Sequence, residues 1–219
     1  TDIARLPWLL ATDDFIETLQ NINEDAHIGH KLRNIASQQL SIPQLNKLTK
    51  TIYSARLKSI GLAPLEDVKL AILSFSNVDL LPDVLVATAA RFSLNLSCKI
   101  FDYGDVASQV LDQESLLYQY QPDIILIIFD NSMLQSTSKL GDEKSSHNDV
   151  SHLIEMIQSF QAAINSFSQA VTIIQNLVPV LNSIFGHADS LVHGTARSQI
   201  EMFNIQLSKI LRNSSDVLF

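Results

Sequence analysis

Apolar residues recur every three to four positions through residues 1–60 and gather into short unbroken runs from Val68 onward. The first pattern is that of helices with one buried stripe, the second that of strands buried on both faces. Asp13 or Asp14 is placed to cap a helix running to about Ile22, with Phe15, Leu19 and Ile22 on one stripe. Ile28, Leu32 and Ile35 predict a second helix. Ser41 with Gln44 forms a capping box, and Pro43 is tolerated in a first turn. The third helix then carries Leu45, Leu48, Ile52 and Ala55 on one side. At about 100° per residue, Lys47, Lys50 and Lys58 fall on the opposite side, and Arg56 flanks the apolar stripe.

Strand, helix and strand alternate from there. Val68–Leu73 reads as a first strand, Pro82 opens a helix through Ala90, and Leu94–Phe101 is a second strand. Short helices follow around Val106–Leu111 and Glu114–Tyr120, and Pro122-Asp123 introduces Ile124–Phe129, the most apolar strand. Residues 131–151, rich in Ser, Asn and Lys, read as a long loop. Asp149 starts a helix to about Phe167 whose stripe is Leu153, Met156 or Ile157, Phe160, Ile164 and Phe167. Ala170–Ile174 is a fourth strand, Gly194 or Thr195 begins a helix to about Leu211, and Val217 starts a fifth strand. Such alternation implies parallel β-α-β units with right-handed crossovers. The expected fold class is α/β, a flavodoxin-like three-layer α/β/α sandwich of about five parallel strands in the order 2-1-3-4-5. An N-terminal helical extension over residues 1–60 precedes an α/β domain over 61–219. The ligand crevice of this topology lies at the carboxyl ends of strands one and three, which brings Ser74–Asn77 beside Asp130–Ser132.

Composition narrows the function classes. The 219 residues are 46% apolar and 17% charged, enough for a real core and against wholesale disorder. No apolar run reaches the roughly 18 residues of a membrane span, and no basic-then-apolar leader opens the chain. Cys98, the single cysteine, excludes an internal disulfide framework and a Cys-rich zinc site, and its place inside strand two reads as core. A cytoplasmic protein that binds neither membrane nor nucleic acid is expected. The net charge of −8 is segregated: −5 over residues 1–30, +6 over 31–60 and −9 over 61–219. The basic segment suits either an anionic partner or simple solvation of a helix face. No Gly-rich phosphate loop, zinc helix motif or calcium loop is present. His147 and His152 flank the long loop and the helix start, too isolated for a metal site. The chain opens at Thr1 and stops at Leu218-Phe219 inside the fifth strand, which predicts a piece of a longer protein.

Several segments together resemble the N-terminal region of FkbH-like proteins. They are LPWLL at Leu6–Leu10, KLAILSFSN at Lys69–Asn77, the run Phe101–Asp130, IFGHADS at Ile184–Ser190 and FNIQLSKI at Phe203–Ile210. The resemblance implies an SGNH-hydrolase-like domain preceding a phosphatase domain of the haloacid dehalogenase type, which would begin past Phe219 and need Mg. It further implies a full protein that takes 1,3-bisphosphoglycerate, removes phosphate and loads a glyceryl unit onto an acyl carrier protein for polyketide biosynthesis.

The SGNH likeness makes the crevice a candidate catalytic site formed by Ser74, Ser76, Asp130, Asn131 and Ser132. SGNH enzymes place a nucleophilic Ser after strand one, oxyanion donors on later loops and an Asp-x-x-His near the end, because a hydroxyl attacks only when a base takes its proton. Here Gly-Asp-Ser has become Ser74-Phe75-Ser76, and either serine could instead cap a backbone amide. Gly104 could offer a second-loop amide or serve only as a turn glycine. Asp130 stands where an SGNH Gly would be, and its charge would repel an oxyanion; Ser132 takes the place of the donor Asn, with Asn131 one residue away. Asp189 and His193 have three residues between them rather than two and precede the last helix, so His187 and His193 read as loop residues. Three readings therefore stand: a non-catalytic SGNH-like module that seats an acidic carrier protein on Lys47, Lys50 and Lys58; an active serine esterase or acyltransferase; and an architectural domain for oligomerisation or docking.

Overall fold

The computed structural model describes residues 9–11, 14–20, 22, 27–134, 139–179, 184–212 and 217–218. The expected Asp13 cap and residues 6–8 of the LPWLL segment lie outside the described residues, as do 135–138 of the expected long loop. Helices α1 (Phe15–Gln20), α2 (Ile28–Ala36) and α3 (Ile42–Leu57) precede β1 (Glu66–Ser74), α4 (Leu81–Ala89) and β2 (Leu94–Phe101). Then come α5 (Val106–Leu111), α6 (Leu116–Tyr120), β3 (Ile124–Ile128), α7 (Glu143–Phe167), β4 (Val171–Ile174), α8 (Ala196–Leu211) and β5 (Val217–Leu218). The strands form one sheet in the order β2-β1-β3-β4-β5. β3 pairs with β4 and β4 with β5 in parallel, Ile124 opposite Val171 and Ile173 opposite Leu218. This is the α/β fold with a helical N-terminal part expected from the sequence, and its strand order is the expected one.

The chain divides into two compact units, residues 1–70 with 78–99 and residues 71–77 with 100–219. In the first, the apolar stripes of α1 to α4 meet: Phe15, Ile28, Leu32, Ile35, Leu48, Ile52 and Val86 are all buried. The backbone N–H of Ser41 donates to Gln44 Oε1 at 2.8 Å, which satisfies an amide at the start of α3. Thr49 Oγ1 donates to the Asp83 carbonyl at 2.5 Å, joining α3 to α4. Arg56 turns toward β2, where Nη2 reaches the Leu96 carbonyl and Nε reaches Asn95 Oδ1, each at 2.8 Å. Lys47, Lys50 and Lys58 are all exposed.

The second unit is built around Leu73, Ile125, Ile127, Phe160, Ile164, Phe203 and Leu207. Its main departure from expectation is the start of α7, six residues ahead of Asp149. Asp142 caps the helix by accepting from Ser145 N at 3.1 Å, Glu143 complements its positive end, and Ser146 and Val150 are already buried. Residues 143–151 of the run that read as loop are thus helical, with Glu143, Lys144, His147 and Asn148 on the exposed side, and His147 and His152 belong to this helix rather than flanking it. Its last stripe residue, Phe167, stays 36% exposed.

Candidate functional site

The crevice is set by two strand ends in the second unit. Phe75 N donates to the Ile128 carbonyl at 3.1 Å, so the turn after β1 begins where β3 ends. The Phe75 and Phe129 rings stack with centroids 5.3 Å apart. The apolar run of β3 ends at Phe129, and Asp130 then caps a short 3-10 turn over Asn131–Met133. Residues 74–77 and 130–132 therefore meet at one end of neighbouring strands.

The side chains there bond to one another and to nearby backbone. Ser74 is 1% exposed, and its hydroxyl oxygen accepts the Ser76 N–H at 3.2 Å, a local turn bond. Ser76 is half-buried. Asp130 Oδ1 accepts from Ser132 N at 2.8 Å. Hydrogen bonds from the side chain and the backbone of Ser132 hold the Asp130 carboxyl below the usual carboxylate range, so it is an anion at neutral pH. Asn131 Nδ2 donates to the Val178 carbonyl at 3.0 Å, which commits its amide to the segment after β4. Ser132 is exposed. To an incoming carbonyl this site presents a fixed negative charge and a spent donor, the reverse of what a developing oxyanion needs.

The remaining candidates lie elsewhere. Among the described residues no histidine ring bonds to the Ser74 or Ser76 hydroxyl. The His147 and His193 rings lie 5.9 Å apart between centroids, their planes tilted by 43°. His147 Nδ1 pairs with the Glu143 carbonyl at 2.9 Å, and the His193 carbonyl accepts Gly141 N at 2.8 Å. Asp189 is 2% exposed and takes Ile184 N at 3.0 Å and Phe185 N at 2.6 Å on its two carboxylate oxygens. It is a loop anchor that sequence spacing alone did not reveal; the signal was an acid followed six positions later by the threonine that caps α8. Gly104 sits in an exposed 3-10 turn with open space where a Cβ would stand. Cys98, in the first unit, is half-buried, and burial pushes its thiol up to about 11, against a partial pull from Arg56. Among the described residues no group of three His, Cys, Asp or Glu side chains could hold a metal ion, and no helix is long and apolar enough to cross a membrane.

A family model described as the N-terminal domain of FkbH matches residues 69–219. A crystal structure of the N-terminal part of the protein BF1531 from Bacteroides fragilis, containing a phosphatase domain and complexed with Mg, is similar with a TM-score of 0.65. The two are 17% identical, a likeness of fold, and the match covers 82% of this chain and 44% of that one. No curated protein matches.

Proposed function

Because the chain belongs to the family of FkbH N-terminal domains, we propose that it is the non-catalytic SGNH-like module of a protein that loads a three-carbon acyl unit onto an acyl carrier protein. In this reading the phosphatase domain, with Mg, follows in the same polypeptide. It removes phosphate from 1,3-bisphosphoglycerate, and the glyceryl unit passes to the carrier protein for polyketide assembly in the cytoplasm. The observation that carries the non-catalytic reading is the Ser74 hydroxyl: it is buried and accepts the Ser76 N–H, with no histidine partner among the described residues. A nucleophile needs the opposite, an accessible hydroxyl donating to a base.

Carrier proteins are acidic, and Lys47, Lys50 and Lys58 form an exposed positive face on and just after α3. Charge complementarity of this kind raises the association rate and orients the partner. The experiment is a titration of the longer protein with an acyl carrier protein across a salt series. The triple variant Lys47→Glu, Lys50→Glu, Lys58→Glu should bind more weakly and lose most of its salt dependence; unchanged affinity at every salt concentration would overturn the lysine face. A fluorophosphonate probe should leave the longer protein unlabelled, and labelling lost on Ser74→Ala or Ser76→Ala would overturn the non-catalytic role.

A further inference from the structure

We infer that the exposed 3-10 helix Gly186–Leu191, with Phe185 and Ile184 before it, is the surface on which the phosphatase domain of the same polypeptide docks. Side chains three apart eclipse on a 3-10 helix, so Phe185, Ala188 and Leu191 share one edge. All three are exposed, Leu191 at 80% and Phe185 at 47%, and the adjoining Ile184 is 70% exposed. Isolated exposed apolar side chains are ordinary, but a contiguous row of them is the usual mark of an interface.

The row is held rigidly. Asp189 projects from the opposite edge into the second unit and binds the amides of both Ile184 and Phe185. Its carbonyl accepts Thr195 Oγ1 at 2.5 Å, and the same Thr195 oxygen accepts Ser198 N at 3.2 Å as the cap of α8. A carboxylate is thus withdrawn from water to fix the backbone beneath two exposed apolar residues. Preorganisation of that kind lowers the ordering cost of binding.

Two observations select the occupant. β5 runs parallel to β4 with Leu218 beside Ile173, so chain continuing from β5 emerges at the carboxyl end of the sheet. The segment between β4 and α8, which carries Phe185 and Leu191, lies at that same end. The row is also short. Stable association of free partners takes on the order of 800 Å² a side, more than these few side chains supply. A tethered domain needs far less, because its effective concentration is on the order of millimolar. The inference rests on the reading that a phosphatase domain follows in the same polypeptide.

The test uses the full-length polypeptide with the photo-crosslinking residue p-benzoylphenylalanine in place of the exposed Leu191, its thermal unfolding compared with that of the unsubstituted protein. Illumination should give an intramolecular link mapped by mass spectrometry to the phosphatase domain, independent of protein concentration. The double variant Phe185→Glu, Leu191→Glu should raise the rate of limited proteolysis between the domains about tenfold or more, as expected when an interface loses roughly 1.4 kcal/mol or more, without shifting the thermal unfolding of this module. A link to a second copy, a link to the carrier protein or no link would each overturn the inference. Mg-dependent phosphatase turnover, measured on the same protein, reports separately on whether that domain is present.

Discussion

The Ser74 hydroxyl oxygen accepts the backbone N–H of Ser76 at 3.2 Å, across the turn that ends β1. The bond assigns the two serines unequal roles. Ser74→Ala removes a buried acceptor and leaves the Ser76 amide short of a partner, at a cost of about 1 kcal/mol. Ser76→Ala, at a half-buried position, should change stability by less than about 0.5 kcal/mol. Urea unfolding of both variants checks this; equal losses, or none for Ser74→Ala, would contradict the turn-bond role.

Asp189 anchors the loop ahead of α8. Asp189→Ala leaves the amides of Ile184 and Phe185 without their acceptor and opens a gap where a buried carboxylate stood. Hydrogen bonds to a charged group are worth about 1.5–3 kcal/mol each and are not additive within one carboxylate, so the expected loss is about 3 kcal/mol. Asp189→Asn keeps the shape with one acceptor oxygen and should lose about half as much. Chemical denaturation gives both values, and an unchanged midpoint for both variants would contradict the anchor role.

Much of the fold was legible because its signals are local. The unbroken apolar run Ile124–Ile128 and the mostly apolar Leu94–Phe101 mark strands, and Ser41-Ile42-Pro43-Gln44 marks the start of α3. Parallel β-α-β logic then orders the sheet without any knowledge of contacts. The start of α7 was not legible, because a run of polar side chains is shared by loops and exposed helix turns; Lys144, His147 and Asn148 show only which side faces water. Within the site, the meeting of the Ser74 and Asp130 segments follows from topology. The engagement of Asn131 with Val178 does not, since it joins residues 47 apart through a side chain that could equally have faced the crevice.

Gly29 and Gly104 make a paired prediction. A Cβ at Gly29 on α2 would overlap the carbonyl oxygens of Leu62 and Ala63, backbone atoms with little freedom to retreat. Gly29→Ala should cost about 2–3 kcal/mol, overpacking that outweighs the better helix propensity of Ala. A Cβ at Gly104 meets nothing within 4 Å, so Gly104→Ala should be neutral or stabilising by about 0.5 kcal/mol. Thermal unfolding separates the two; a loss at Gly104 would point to a role for that turn beyond packing.

Cys98 contributes to the alkaline limb of the stability profile. Burial raises its thiol from 9.0 to about 11. With each pKa unit worth a factor of ten, the thiolate population near neutral pH falls about hundredfold relative to an unfolded chain. An aromatic disulfide reagent should react correspondingly more slowly with the native protein than with the protein in denaturant. The native state holds the thiol proton where the unfolded chain releases it, so the Cys98 contribution to stability is complete below pH 9.0 and declines as pH rises toward about 11. Tyr53 is shifted the same way, by burial first and then by Asp83 and Cys98, so its contribution also declines at alkaline pH. The difference between wild type and Cys98→Ser across roughly pH 8 to 11 reports the thiol together with the part of the Tyr53 shift that Cys98 causes: the wild-type curve should fall more steeply, and parallel curves would mean that Cys98 titrates as it does in the unfolded chain.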